Sequence, residues 1–352
     1  MKKMTLGFKL VAGGIACVLI PLLAVGLFSI NKASNGLETL SKEQVSNIAK
    51  DLADMTQLVL LEELKLVKDL SVGNATIKAA TKVAETGIED ASLEIEKLNH
   101  KLSMAMKTIG NDYESILVTD SNGTVFADGD AGKYKGMSLA AREYFHIAKQ
   151  GTVNVATPVK SKISGNPIAP VCAPIFSQTG RFVGAVATVL KIDFITDKIS
   201  SVKVGETGYP FMVDKTGLAI AYPDEERILE LNLATVRGME GIIGKMLAHQ
   251  TGVESYVFEG IDKIAGYAPV ELTGWSIGVT QPSDEFLKAA HAIRNMILMM
   301  GGILLALTIL AVLYFARGIT QPINRIIEGL NEGAEEVASA SGQVSSASQS
   351  LA

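Results

Sequence analysis

Two uncharged apolar runs, residues 10–30 and 295–316, place the strongest constraint on how this chain folds. They are 21 and 22 residues long. At about 1.5 Å rise per residue, a helix of that length crosses the roughly 30 Å hydrocarbon core of a bilayer. The sequence therefore predicts two transmembrane helices, one near each end of the chain.

Positive charges next to the two runs predict their orientation. Cytoplasmic flanks of membrane helices carry an excess of lysine and arginine, so we expect residues 1–9 in the cytoplasm, residues 31–294 outside it, and the chain in the cell inner membrane. A cleaved signal peptide is the alternative for the first run, although its apolar stretch exceeds the roughly 7–15 residues typical of such peptides. The flanking basic residues are Lys2, Lys3, Lys9, Arg317 and Arg325.

Charge, cysteine content and motifs narrow the classes of function. A net charge of −5 argues against a nucleic-acid partner, which would require a basic face. Cys17 and Cys172 are too far apart in the predicted topology to form a disulfide. The four histidines lack metal-ligand spacing, and there is no catalytic triad, phosphate loop or metalloprotease motif. The sequence predicts neither an enzyme nor a cofactor.

The outer region begins with helices and continues with strands. Residues 31–107 contain no proline and carry apolar residues at helical spacing. Gly73 and Gly87 are the predicted interruptions, because glycine costs about 1 kcal/mol in a helix interior. Residues 115–119 and 124–127 have the composition of two strands joined by a turn.

A short motif occurs twice in the outer region. Residues 120–127 and 214–221 both read D-x-x-G-x-x-x-A after a strand-like stretch, and aspartate and glycine favour a tight turn. One large α+β domain with two similar hairpins is an alternative. We favour two tandem α/β modules, because the region is long enough for two domains. The predicted order is stalk helices at 31–110, a membrane-distal module at 111–200 and a membrane-proximal module at 201–285.

This order resembles the double Cache sensor domain of bacterial methyl-accepting chemotaxis proteins. The resemblance implies an α+β membrane protein with two PAS-like modules between two transmembrane helices, followed by a cytoplasmic coiled-coil helix. Residues 141–148 are similar to the family's R-x-[WY]-[YF]-x-x-A segment, and the family binds small ligands in the membrane-distal module. Arg142, Tyr144 and Phe145 are therefore expected to bind the ligand. A surface ion pair for Arg142, and core packing for the two aromatic residues, are the alternatives.

The sequence departs from the pattern of amino-acid-sensing family members. Those members hold the ligand's ammonium group with a tyrosine and two aspartates, whose positions here carry Val159, Ser161 and Val189. Lys160 and Lys162 stand nearby. We therefore predict a small carboxylate or other anionic metabolite as the ligand instead of a free α-amino acid, with Lys160 and Ser161 among the binding residues.

The chain after the second run resembles the start of a signalling region. Residues 317–331 are similar to the first helix of a HAMP relay module, and residues 332–352 to the beginning of a chemoreceptor coiled coil. The second HAMP half and the kinase-contacting hairpin do not follow, so we expect a receptor truncated before that hairpin. A disordered Ser/Ala tail is the alternative. The predicted relay positions are Pro322, Ile323, Leu330 and Val337. The seven-residue spacing that begins at Ile323 continues through Val344 and Leu351.

A coiled-coil seam requires a second helix, so the sequence predicts a homodimer embedded in the lipid bilayer. The resemblance implies that ligand binding is transmitted through the second transmembrane helix to a chemotaxis kinase and its adaptor protein. The alternatives are the sensor half of a histidine kinase or diguanylate cyclase, and a membrane-anchored binding protein that transmits no signal.

Overall fold

A computed structural model describes residues 6–350 of the chain. Lys2, Lys3 and Leu351, named above, lie outside these residues. The helices are α1 (Leu6–Val72), α2 (Asn74–Thr86), α3 (Ser92–Ile109), α4 (Glu143–Lys149), α5 (Asp193–Ser200), α6 (Glu240–Leu247) and α7 (Ser283–Ser350). The strands are β1 (Tyr113–Asp120), β2 (Val125–Asp128), β3 (Asn154–Val155), β4 (Val159–Lys160), β5 (Pro167–Phe176), β6 (Phe182–Lys191), β7 (Tyr209–Val213), β8 (Ala219–Ala221), β9 (Gly252–Phe258), β10 (Ile261–Val270) and β11 (Trp275–Pro282).

The terminal parts of α1 and α7 form one compact unit of the chain. Both helices are long and apolar enough to cross a membrane, and large side chains such as Leu27 and Leu307 are exposed, as lipid-facing residues would be. Helix α7 continues through Pro322 to Ser350. Leu330 and Val337 are exposed on this helix, so the coiled-coil seam through them remains a prediction. The two-pass topology also remains a prediction.

Residues 39–286 form the second compact unit, and its first helices end where glycines were expected to interrupt them. Gly73 has an extended backbone between α1 and α2. Gly87 adopts a φ of +88° after α2, and its N–H donates to the Val83 carbonyl at 2.9 Å. Both predicted helix interruptions are confirmed, and the helical stretch before β1 is divided into three helices.

Two antiparallel sheets follow, and their strands have the same spatial order. The first is β2-β1-β6-β5-β3, with β4 also paired to β5, and the second is β8-β7-β11-β10-β9. Each sheet begins with a hairpin formed by one copy of the repeated motif. The predicted strands and the turn between them are confirmed for the first copy.

The aspartate of each motif fixes its turn in the same way. Asp120 Oδ1 accepts hydrogen bonds from the amides of Asn122 and Thr124, at 2.9 and 2.8 Å. Asp214 Oδ1 accepts from the amides two and four residues later, at 2.8 and 3.0 Å. The motif glycines, Gly123 and Gly217, have φ values of +88° and +86°, which a side chain would disfavour.

Helix α1 packs against both sheets. One buried cluster joins Val45 and Leu60 of α1 to Leu190 of the first sheet and to Met212 and Ile277 of the second. Helices α2 and α3 cover the rest of that face of the first sheet. The opposite face of each sheet is covered by shorter helices and loops, and the candidate binding sites lie on these loop-covered faces.

Candidate functional site

Arg142 and Tyr144 provide two polar groups without a protein partner. Arg142 precedes the first residue of α4, and Tyr144 is buried within that helix. Neither the Arg142 guanidinium nor the Tyr144 hydroxyl makes a hydrogen bond or ion pair with any residue between 6 and 350. Burial, followed by the effect of nearby Cys172, raises the pKa of Tyr144 to about 12, and Arg142 opposes the shift. Both groups are thus available as donors to a ligand.

The two donors lie on the wall of a small cavity against the first sheet, which we term the Glu114 cavity. Its volume is about 40 Å³, enough for about three or four water molecules at roughly 10–15 Å³ each. Val159, Ser161 and Val189, which the sequence analysis aligned with the family's ammonium-binding residues, all lie on this wall. Its walls include Glu114, Leu117, Tyr134, Met137, Leu139, Arg142, Tyr144, Val159, Lys160, Ser161, Lys162, Ile168, Pro170 and Val189.

Glu114 is an acidic lining residue that the sequence analysis missed. Its Oε1 accepts hydrogen bonds from the hydroxyls of Tyr134 at 3.0 Å and Ser161 at 2.6 Å. Its Oε2 accepts from the hydroxyl of Ser164. Burial, followed by the charge of Glu114, raises the pKa of Tyr134. The aligned positions Val159, Ser161 and Val189 carry no acid, but Glu114 supplies an anionic side chain to the same cavity.

A β-bulge directs Glu114 into the cavity. Tyr113 pairs with Leu190 and Ser115 with Val189, so Glu114 is an extra residue in β1 relative to β6. Regular alternation would place Glu114 on the same face as Ile116, which packs under α2 and α3. The bulge reverses the faces at the start of the strand.

The same bulge directs Tyr113 towards α1. Its hydroxyl donates to Glu63 Oε1 at 2.6 Å. Glu63 is buried, and its Oε2 has no hydrogen-bond partner among the described residues. Burial raises the pKa of Glu63, the hydrogen bond from Tyr113 opposes this, and the charge of Asp112 adds to it. Adjacent residues of β1 therefore contact the cavity and the long helix.

The β4–β5 hairpin closes one side of the Glu114 cavity. Ser161 is buried, and its hydroxyl donates to Glu114 while accepting from the amides of Ile163 and Ser164. The ammonium of Lys160 pairs with Glu230. These two predicted ligand-binding residues thus line the cavity, but their polar groups already have protein partners.

Phe145 does not line the Glu114 cavity. It is 2% exposed and packs edge-on against Phe182 in the core beneath α4. Successive residues of a helix point about 100° apart, and here Tyr144 faces the cavity while Phe145 faces the core. The expected ligand contact for Phe145 is therefore replaced by core packing, which was the stated alternative.

Cysteine and metal chemistry give no further candidate. Cys17 and Cys172 are both free, and burial raises the pKa of Cys172 to about 12. A thiol with that pKa is unreactive at neutral pH. Among residues 6–350, no group of three histidine, cysteine, aspartate or glutamate side chains is placed to hold a metal ion.

Two sheets of matching strand order, a long helix packed on both, and an arginine-lined cavity define an α/β sensor domain. The profile of the Cache domain family matches residues 29–290. The chain belongs to the Cache domain family, and the long apolar helices that flank the domain are consistent with a membrane protein.

Comparisons with known proteins place the chain among relatives of chemoreceptors. It is homologous to the methyl-accepting chemotaxis protein McpA of Bacillus subtilis, with 22% identity over 335 residues, 93% of this chain and 46% of McpA. The chain spans about half the length of the curated relatives it matches.

Solved structures share the fold of the outer domain. The periplasmic sensory domain of the Campylobacter jejuni chemoreceptor Tlp1 is 16% identical, covers 72% of this chain and 98% of its own, and has a TM-score of 0.56. The ligand-binding domain of the Pseudomonas fluorescens chemoreceptor CtaA, in complex with L-isoleucine, is 17% identical, covers 72% and 98%, and has a TM-score of 0.51.

Proposed function

We propose that this chain is the sensor and membrane-spanning part of a chemoreceptor whose Glu114 cavity binds a small ligand through the ligand's carboxylate. The observation that carries this proposal is the pair of open donors, Arg142 and Tyr144, on the wall of a cavity in a Cache domain. A guanidinium pairs with a carboxylate through two parallel hydrogen bonds. The homology to McpA supports chemotaxis as the process.

The ligand class that fits this cavity best is an α-amino acid. Arg142 would hold the carboxylate, and Glu114 would accept hydrogen bonds from the ammonium group. A plain anion could also pair with Arg142, but it would leave the negative charge of Glu114 without an ammonium partner. The L-isoleucine bound to CtaA supports the same class. This proposal replaces the anionic metabolite expected from the sequence, and organic acids become the opposing outcome of the test.

Ligand entry requires the cavity to enlarge. At about 40 Å³ the Glu114 cavity is much smaller than the roughly 300–1,000 Å³ typical of ligand sites. The Ser161 and Ser164 hydroxyls hold the β4–β5 hairpin to Glu114. An ammonium group that takes over those bonds would release the hairpin. Binding would thereby shift the population towards an open hairpin.

Signal transmission follows the predicted two-pass topology. In this proposal the first sheet is membrane-distal, the second is membrane-proximal, and two chains associate along α1 and α7. Displacement of α7 would change the packing of the coil at Pro322, Ile323, Leu330 and Val337. The chemotaxis kinase and its adaptor would receive the signal from a further C-terminal region.

The fold alone does not separate a chemoreceptor from the sensor half of a histidine kinase or a diguanylate cyclase. The Cache profile ends at residue 290, whereas the match to McpA covers 93% of the chain. Because that match includes parts of the flanking helices, it favours the chemoreceptor.

The test is calorimetric titration of the full chain in lipid nanodiscs. A panel of L-amino acids is compared with their N-acetyl and methyl-ester derivatives, which lack the ammonium charge and the carboxylate respectively. We expect at least one L-amino acid to bind and both of its derivatives to fail. Binding of organic acids without any response to amino acids would contradict the ligand class, and no response to either would contradict the function.

A further inference from the structure

A second cavity lies between the two sheets of the Cache domain and is larger than the Glu114 cavity. Its volume is about 260 Å³, close to the lower end of the roughly 300–1,000 Å³ range of small-molecule sites. Tyr144 and Val155 line it from the first sheet's side, and Lys215, Thr273 and Trp275 from the second sheet's side. We term it the inter-sheet cavity.

The turns of the second sheet build one wall of this cavity. The Asp214 carboxylate fixes the motif turn, which places Lys215 at the rim. In the β10–β11 turn, the amides of Thr273 and Gly274 both donate to the Val270 carbonyl, at 3.2 and 3.1 Å. Gly274 has a φ of +72°, a conformation that favours glycine. The turn brings Trp275 to the wall as the first residue of β11.

The polar groups of the wall are mostly donors without a partner. The indole N–H of Trp275, the hydroxyl of Thr157 and the guanidinium of Arg142 make no hydrogen bond within the part of the chain that the structure describes. The Trp275 side chain is 2% exposed, and its indole N–H can donate to an acceptor in the cavity. Asn154 adds a buried side-chain oxygen without a partner. An occupant that supplies acceptors would satisfy most of this wall.

The charges of the wall favour an anion. The Nζ atom of Lys215 lies 3.7 Å from Oε1 of Glu143, and both side chains are more than half exposed. Arg142 is the second cation, so two positive side chains face one negative one. Ile147, Val155 and Trp275 supply an apolar surface next to these charges.

We propose that the inter-sheet cavity is a second ligand site, which binds a small aliphatic carboxylate. The carboxylate lies between Arg142 and Lys215, and the hydrocarbon chain packs against Ile147, Val155 and Trp275. No ammonium group is required, because the only acid on this wall already contacts Lys215. The site is therefore chemically distinct from the Glu114 cavity, whose acid faces the ligand.

Arg142 belongs to both walls, which couples the two sites. A guanidinium that is bidentate to one carboxylate has fewer donors left for another. Each ligand should therefore weaken binding of the other by the same factor. This coupling, unlike the second site itself, rests on the proposed function of the Glu114 cavity.

Trp275 is the only tryptophan of the chain, so its emission reports on the inter-sheet cavity. The full chain in nanodiscs is titrated with sodium butyrate at constant ionic strength, with butyramide as the uncharged control of the same shape. We expect a saturable change with butyrate and none with butyramide. A response that does not saturate, or that butyramide reproduces, would overturn the site.

Two variants locate the response. Lys215→Met should weaken butyrate binding about tenfold, the loss of one charge-assisted contact. Lys245→Met is the matched control, because Lys245 is also a half-exposed lysine paired with a glutamate, Glu254, but lines neither cavity. Ala141→Leu, at an exposed position that lines only the inter-sheet cavity, should abolish binding by filling it.

Equal butyrate affinity in the Lys215→Met and Lys245→Met variants would overturn the proposal, as would full binding by Ala141→Leu. The result is independent of amino-acid recognition. If amino acids fail to bind but the butyrate response holds, the proposed function of the Glu114 cavity fails and the second site remains. The reverse outcome removes only the second site.

Discussion

The two sheets of the Cache domain share a strand order and a hairpin motif, yet they attach to α1 differently and present different groups. The first sheet contacts α1 through a side-chain hydrogen bond, from Tyr113 to Glu63. The second meets it by direct backbone contact, because Gly266 lies against the carbonyl of Val45. Side chains can exchange hydrogen-bond partners. Two backbones in direct contact, with no side chain between them, have little freedom to move relative to each other. In the proposed function, this difference would let the first sheet respond to a ligand while the second holds the helix.

The loop-covered faces of the two sheets also differ, in whether their cationic side chains have partners within the protein. In the first sheet the Glu114 cavity contains unpaired donors at Arg142 and Tyr144. In the second, Lys263 is buried with its ammonium near the rings of Tyr209 and Phe258, each centred 5.1 Å away. Burial lowers the pKa of Lys263, and the rings stabilise its charged form. The second sheet thus satisfies its buried cation internally, while the first leaves its cation available.

Removing that available cation should have the largest effect. Arg142→Ala is expected to weaken amino-acid binding about 100-fold, because it removes a partly buried, charge-assisted bidentate contact. Calorimetry on the full chain in nanodiscs measures it. Arg181→Ala, at an exposed arginine that lines neither cavity, is the control and should bind normally. If Arg142→Ala and Arg181→Ala bound the amino acid with equal affinity, Arg142 would not be the available cation that distinguishes the first sheet from the second.

The backbone contact of the second sheet can be broken by one methyl group. A Cβ at Gly266 would collide with the Val45 carbonyl, so Gly266→Ala should destabilise the domain by about 1–3 kcal/mol, as overpacking does. Gly244→Ala is the control, because Gly244 lies in α6 with no neighbour within 4 Å of its added Cβ. It should stabilise by up to about 1 kcal/mol. Thermal unfolding followed by Trp275 emission measures both, and an unchanged melting temperature for Gly266→Ala would contradict the contact.

The acid of the Glu114 cavity sets the expected ligand class. Glu114→Gln should weaken amino-acid binding about tenfold, since one charge-assisted hydrogen bond is lost. The affinity for the corresponding des-amino acid should rise or stay the same. Titrating both ligands against the wild type and the variant measures the change in preference. If both ligands lose affinity equally, Glu114 supports the hairpin only and does not contact the ligand.

The link between the first sheet and α1 should depend weakly on pH. The folded-state pKa of Glu63 is raised above its usual value of 4.5, so the folded chain holds this proton more tightly than the unfolded chain. Its contribution to stability is complete below pH 4.5 and is lost as pH rises through the raised value. Glu63→Gln should remove this dependence. The difference in melting temperature between wild type and variant should therefore change across that range, and a constant difference would exclude titration of Glu63.

Local sequence patterns predicted the parts of this molecule that depend on neighbouring residues. Gly73 and Gly87 marked the helix ends, and the D-x-x-G motifs marked both hairpins, because turn geometry is decided within a few residues. A motif singled out Arg142 and Tyr144, which line the Glu114 cavity. Phe145 was assigned wrongly, because the motif carries no information about which face of a short helix meets the cavity.

Groups brought together by pairing between distant strands could not be predicted. Glu114 enters its cavity through a bulge defined against β6, and a single sequence does not show an extra residue relative to a distant strand. The inter-sheet cavity depends likewise on how the Lys215 turn meets α4. The repeated motif predicted the turn that carries Lys215, but it did not predict that this turn lies next to α4.

The most direct test of the central claim is a structure of the Cache domain in the full chain with its best-binding L-amino acid. We predict that the ligand's carboxylate lies against Arg142 and Tyr144, with its ammonium group within hydrogen-bond distance of Glu114 and the Ser161 hairpin displaced. A ligand bound against the second sheet, or one in the first sheet whose carboxylate contacts neither Arg142 nor Tyr144, would contradict the account.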